Sequence, residues 1–220
     1  MRHSLLAVRG YSLRVDDREF GEVVDFLIDS RTWSVRFLVA RTRRLLPGRE
    51  VAIATADTEA PNRRQLHVPV TLTRDELKQS LLAAEVLHDG MTARVIGPAE
   101  AMAAETGDLH RFASLGEINL VSTRDGSLGR VVDLIINDQT WTIQSLVIEL
   151  DGMGRERLTL HTEWIAEMAG SGKTYTTNLS AAAVTALTAG LVIAVVERRA
   201  VDAEYDALYD QDGRSRTWLR

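Results

Sequence analysis

Cysteine is absent from the 220 residues of the chain. That absence removes disulfides, thiolate nucleophiles and cysteine-ligated zinc or iron–sulfur centres from the available chemistry. Aromatic residues are scarce, at 5%, so a core has to be filled mainly by Val, Leu, Ile and Ala. No apolar run approaches the roughly 20 residues that span a bilayer as a helix; the best, Leu191 to Val196, stops at Glu197. The N-terminus offers Leu5-Leu6-Ala7-Val8 before Arg9, without the longer apolar stretch and cleavage site of a secretory signal. A basic excess is missing as well. The net charge of −5 and pI of about 5.6 argue against nonspecific nucleic-acid binding, because phosphate neutralisation needs a basic surface. Together these absences lead us to expect a cytoplasmic protein, soluble or peripheral to the inner membrane.

Hydrophobic residues make up 45% and charged residues 26%, enough apolar surface to offset the entropy of ordering a chain. The strongest signal is internal. Phe20-Gly21-Glu22-Val23-Val24-Asp25-Phe26-Leu27-Ile28-Asp29 matches Leu128-Gly129-Arg130-Val131-Val132-Asp133-Leu134-Ile135-Ile136-Asn137, and Thr32-Trp33-Ser34-Val35 matches Thr140-Trp141-Thr142-Ile143. Both pairs lie 108 positions apart (20 to 128, 33 to 141). Further on, Leu72-Thr73 matches Leu179-Ser180 with a shift of one. A period this long predicts a tandem duplication of one module rather than a solenoid.

Each copy reads as β structure closed by a helix. Val24, Phe26 and Ile28 alternate with Val23, Asp25 and Leu27, which predicts a strand with one apolar and one mixed face. Asp29-Ser30-Arg31-Thr32 and Asn137-Asp138-Gln139-Thr140 are turn clusters, so hairpins are expected, with second strands over Trp33 to Ala40 and Trp141 to Leu150. Further strands are expected at Val51 to Ala54, Leu158 to Leu160, His67 to Leu72 and Thr174 to Leu179. Thr73-Arg74-Asp75-Glu76 is a capping-box pattern. Ser180 is placed to cap a helix over Ala181 to Thr188, with Gly190 ending it. Several short strands in about 75 residues suggest a small closed or partly closed barrel. The expected organisation is module 1 over 1–80, a helical linker over 81–114, module 2 over 115–189 and an extension over 190–220. In the linker, the first helix is expected to run on through Leu87 to a break at Asp89-Gly90, and a second to follow Pro98 as far as Gly107.

The Gly-x-Val-x-Asp strand, followed by an apolar hairpin with Thr-Trp at its turn, resembles the PRC-barrel family. Its modules occur in the cytoplasmic part of the photosynthetic reaction-centre H subunit, at the C-terminus of a ribosome-maturation factor, and in stand-alone bacterial proteins. The matching positions are Gly21, Val23 and Asp25, then Gly129, Val131 and Asp133. The resemblance implies two small β-barrels and an assembly or interaction role. From the residues themselves, Gly21 and Gly129 suit a strand bend or bulge that tolerates no β-carbon. Asp25 and Asp133 suit acceptors of backbone amides at a barrel rim.

Other candidates for chemistry have plainer readings. Gly170-Ser171-Gly172-Lys173-Thr174 is P-loop-like, but Glu167 stands where the motif needs glycine, and a strand-like run follows where it needs a helix; a hairpin turn is expected. His3, His67, His88, His110 and His161 lack the spacing of a helical ligand pair, and no serine sits in Gly-x-Ser-x-Gly. Neither catalytic residues nor a cofactor or metal is therefore expected. Trp33 and Trp141 either cover the open ends of their barrels or form hot spots for the sister module or a protein partner. Arg41, Arg43, Arg44 and Arg49 surround Leu45-Leu46-Pro47-Gly48. This basic loop is a solvated hairpin or a contact for lipid headgroups, RNA or an acidic protein face.

The function expected from all this is a non-enzymatic adaptor or assembly protein. It would bind a protein partner or the membrane-proximal face of a complex, and homo-oligomerisation is compatible with that role. Two alternatives stay open: an RNA- or ribosome-associated binder, which the acidic pI disfavours, and a small-ligand binder or enzyme with a site between the modules.

Overall fold

The computed structural model describes residues 2–16, 18–42, 50–73, 75–76, 85–88, 91–96, 109–113, 118–152, 157–169 and 174–188. In chain order the elements are β1 (Arg2–Ser4), α1 (Leu5–Val8), β2 (Ser12–Val15), β3 (Arg18–Asp29), β4 (Ser34–Thr42), β5 (Glu50–Ala54), β6 (His67–Pro69), β7 (Glu85–His88) and β8 (Met91–Ile96). They continue with β9 (Leu109–Arg111), β10 (Asn119–Ser122), β11 (Gly126–Asn137), β12 (Thr142–Leu150), β13 (Arg157–His161), β14 (Ile165–Ala169), β15 (Thr174–Thr177) and α2 (Ala181–Thr188). The protein is mainly β. No helix among the described residues is long and apolar enough to cross a membrane.

Two compact units divide the chain, and they do not follow its order. Unit 1 is built from Val8–Ala113 and Asn137–Thr142; unit 2 from Arg2–Ala7, Ser114–Ile136 and Ile143–Arg220. In unit 1 the strands run β6-β2-β3-β4-β5-β8-β7, with β9 also paired to β3. Strand β3 is long enough to take β2 opposite Arg18–Glu22 and β9 opposite Leu27–Asp29. In unit 2 the order is β14-β15-β10-β11-β12-β13, with β1 paired to β11. The connections match: β2 pairs β6 in parallel from Ser12 and His67, and β10 pairs β15 in parallel from Asn119 and Thr174. Each unit presents an open sheet, in which no pairing among the described residues joins the end strands into a closed barrel.

The helical linker needs a correction. Glu85–His88 and Met91–Ile96 are strands, paired antiparallel with His88 opposite Met91, and β8 continues in parallel onto β5. The Leu-Ala-Glu composition before them favours helix, but Asp-Gly between paired residues is the strongest short hairpin signal, and β5 supplies an edge for β8 to add to. The second linker helix, from Pro98, and the 190–220 extension lie outside the described residues.

The hairpins form as expected, with Asp29 opposite Ser34. Strand β3 departs from simple alternation. Val23 faces Ala40 and Asp25 faces Val39, so Val24 is the extra residue of a bulge that shifts the side-chain phase. Val23 and Asp25 to either side of it are buried while Val24 is only partly so, and Phe26, Leu27 and Ile28 are buried on both faces of the strand. Matching positions build matching clusters. Leu27 and Val39 pack with Phe37, Ala52, Ala54 and Leu109, against Val24, in unit 1; Ile135 and Val147 pack with Ala7, against Leu6 and Val132, in unit 2. At α2, the Ser180 hydroxyl accepts from the Ala183 amide at 3.1 Å, the expected N-cap. Thr73 and Glu76 also close their capping box, with the Thr73 amide donating to Glu76 Oε2 at 2.8 Å.

Tyr175 is buried on β15, and burial pushes its hydroxyl well above the ordinary tyrosine range; Tyr11 is raised for the same reason, partly offset by Arg63. A folded-state pKa above the unfolded value leaves stability intact below the unfolded pKa, near 10, and erodes it as pH rises beyond. The tyrosine contribution to the unfolding free energy, read from urea denaturation, should therefore be level up to about pH 9.5 and then fall, by up to about 1.4 kcal/mol per tyrosine per pH unit. Tyr175→Phe should make that alkaline limb shallower.

Candidate functional site

Among the described residues, the two aspartates of the matched strands are the most deeply buried carboxylates, at 1% exposure for Asp25 and 0% for Asp133. Burial of a carboxylate is tolerable only when its oxygens are paired; in both, Oδ1 takes two amides, while Oδ2 faces an ion pair at Asp25 and a hydroxyl donor at Asp133. Oδ1 of Asp25 accepts from the amide of its neighbour Phe26 and from that of Ala113, both at 2.9 Å. Arg111 Nε lies 2.6 Å from Oδ2 in an ion pair without hydrogen-bond alignment. Oδ1 of Asp133 accepts from Leu134 at 2.7 Å and from Leu6 at 3.1 Å, while the Ser4 hydroxyl donates to Oδ2. Each aspartate thus holds its own next residue, one distant amide, and a side chain two residues before that amide.

Gly21 and Gly129 stand beside register shifts, Leu13/Arg14 opposite one and Leu120/Val121 opposite the other. A β-carbon on Gly21 would come to 2.6 Å from the Arg41 carbonyl oxygen; on Gly129 it would press on the Glu149 carbonyl, and there φ is +155°. Neighbouring backbone, not local turn chemistry, requires glycine at both places.

Around Gly21 and Gly129 runs a row of charges with inverted sign. Glu22 is opposite Arg41, which is opposite Glu50. At the matching places Arg130 pairs with Glu149 at 2.7 Å, and Glu149 is opposite Arg157. In unit 1 the row also meets the buried aspartate, since Arg111 Nη2 donates to Glu50 Oε2 at 3.2 Å and Arg41 lies 3.7 Å from Glu50 Oε1. Arg41 is 60% exposed and marks the start of the basic loop; Arg43, Arg44 and Arg49 lie outside the described residues.

Trp33 and Trp141 end the hairpin turns in left-handed backbone, at φ of 49° and 55°. Asp29 Oδ1 holds one turn through the Arg31 and Thr32 amides, and Asn137 Oδ1 holds the other through Gln139. Both tips belong to unit 1, where Val35 N–H donates to the Trp141 carbonyl at 2.9 Å and Thr142 is opposite Ser34. Trp141 is 4% exposed, while Trp33 is half-buried. The P-loop-like run Gly170–Lys173 lies outside the described residues, and the strands flanking it pair antiparallel with Ala169 opposite Thr174, so strand rather than helix follows. Among the described residues no group of three or more His, Asp or Glu is disposed to hold a metal.

Sequence reasoning singled out Asp25 and Asp133 but missed Ser4, Arg111 and Glu50. A signal existed: Arg2–Ser4 and Leu109–Arg111 are strands 107 positions apart (2 to 109), the same spacing as β2 and β10. Their side chains share too little for the match to be read.

Asp133→Ala strands the Ser4 hydroxyl and the Leu6 and Leu134 amides, and should cost about 3 kcal/mol or more in urea denaturation. Asp25→Ala should cost about 3 kcal/mol, because Arg111 loses its nearer anion but keeps Glu50. Gly21→Ala and Gly129→Ala should each cost at least about 1–3 kcal/mol by overpacking, with Gly129 the worse. Unchanged denaturation midpoints would contradict the assigned roles.

Set against models of known protein families, the sequence matches none, and no curated protein matches it.

Proposed function

We propose that the chain is a non-enzymatic adaptor or assembly protein made of two tandem PRC-barrel-like modules, binding a protein partner, or the membrane-proximal face of a complex, through loops on that scaffold. The observation that carries this reading is the division of labour among polar residues. Those that recur in register, Asp25 with Asp133 and Asp29 with Asn137, hold backbone amides and so serve the scaffold. Among the stretches whose sequences differ between the halves is Arg41 to Arg49 against Asp151 to Arg157. Scaffold residues in common and loops that diverge are what a binding module needs, since recognition is placed on loops carried by a rigid frame. The resemblance of the Gly-x-Val-x-Asp and Thr-Trp segments to PRC-barrel modules supports the same role.

A basic run of this kind in the sequence would steer encounter with an acidic surface and act mainly on association. Affinity purification from the native cell should recover a protein partner whose affinity falls about tenfold, roughly 1.4 kcal/mol, when Arg41, Arg43, Arg44 and Arg49 are changed to Gln. The loss should shrink as salt is raised. Equal affinity for the variant would remove the loop from the reading. Recovery of RNA in place of protein, with a steep salt dependence, would replace the adaptor role by the nucleic-acid one.

A further inference from the structure

From Arg2 onward, chain order and unit membership cross four times, after Ala7, Ala113, Ile136 and Thr142. Arg2–Ala7 lies in unit 2 although the residues that follow it build unit 1; unit 1 ends at Ala113 but takes Asn137–Thr142 back from within the span of unit 2. None of the three segments is a loose appendage. From Arg2–Ala7, β1 pairs with β11, Ala7 joins Ile135 and Val147, and Ser4 and Leu6 satisfy Asp133. From residues 109–113, β9 adds to β3, Leu109 enters the cluster of Leu27, Phe37 and Val39, and Phe112 meets Phe26 edge-on at 5.6 Å. Arg111 and Ala113 satisfy Asp25. From Asn137–Thr142, Trp141 is buried and its carbonyl accepts from Val35.

We infer that the N-terminal and C-terminal halves of the chain are mutual ligands, interlocked by reciprocal insertion of Arg2–Ala7 and Leu109–Ala113 at the two buried aspartates, and that they stay bound when the covalent connection between them is cut. A break within residues 97–108 leaves an N-terminal fragment holding most of unit 1 and the first segment of unit 2. The C-terminal fragment holds most of unit 2 and two segments of unit 1. Separation would strip Asp25 of Arg111 and of the Ala113 amide, and Asp133 of Ser4 and of the Leu6 amide. It would also open both apolar clusters to water. The halves are thus each other's partner, independently of what the assembled protein binds.

The test is a full-length protein with a specific protease site inserted between residues 97 and 108, cleaved after folding. The expected result is one species at the elution volume of the uncut chain, parting only in denaturant. In a Ser4→Ala/Arg111→Ala chain cut the same way, a tagged fragment should replace its untagged counterpart about tenfold faster, because loss of contacts appears chiefly in dissociation. Fragments that elute apart under native conditions, whether folded or precipitated, overturn the inference. Hydrogen exchange on the uncut, unmodified chain gives a second reading. The Leu6 and Ala113 amides should be as protected as those of β11 and β3, and exchange at the rate of a fraying terminus would overturn the inference just as directly.

Discussion

A buried carboxylate that cannot be satisfied by its own neighbourhood is the constraint around which this protein is organised. Asp25 and Asp133 sit inside long central strands whose ladder hydrogen bonds are already committed, so each gains only one amide locally. The remaining acceptor capacity has to be filled from elsewhere, and an unsatisfied buried oxygen costs about 1–3 kcal/mol or more. In both units the solution is a short strand arriving from far along the sequence, with a side-chain donor and, two residues later, an amide. The donors differ in kind. Arg111 brings a charge and extends its reach to Glu50, whereas Ser4 brings a neutral hydroxyl that also accepts from the Ala7 amide to begin α1. One geometry is met by two chemistries.

The charge row beside the glycines follows the same logic at the surface. Positions 22, 41 and 50 carry −, + and −, and positions 130, 149 and 157 carry +, − and +. Neighbouring strands place opposite charges side by side in both cases, so the sign is free to invert provided all three invert together. Pairs of this exposure each contribute at most about 1 kcal/mol, which means the row tunes pairing without deciding the fold. The decision lies deeper, in the bulged strand, in the glycine that lets a neighbouring carbonyl approach, and in the aspartate a few residues on.

Much of this was legible in the residues. The hairpins, the closing helix capped by Ser180, the Thr73–Glu76 box and the strand after Lys173 all rest on local chemistry, which a sequence displays directly. The failures share one physical cause. Glu85–His88 reads as helix because the Leu-Ala-Glu composition favours one, whereas its strand character comes from pairing with β8 and from the edge that β8 finds on β5. Alternation in β3 misassigned Val24 because a bulge moves the phase by one residue. Ser4 and Arg111 were invisible as site residues because what unites them is the carboxylate each one reaches, more than 80 residues away, and not their own identities. Asp25 and Asp133 were recognisable as special, but the origin of the amides they hold was not.

The distance between Leu6 and Asp133, 127 residues, also sets a timetable. At a synthesis rate of roughly 5–20 residues per second, the N-terminal strand leaves the ribosome roughly 6–25 s before its acceptor has been made. For most of that interval the nascent sheet is also short of β9, which ends at Arg111. Long-range pairing of this kind is slow to form, and no rearrangement of the early chain can shorten the delay. The strand Arg2–Ser4 therefore stays without its partner on β11 until translation has passed the second aspartate.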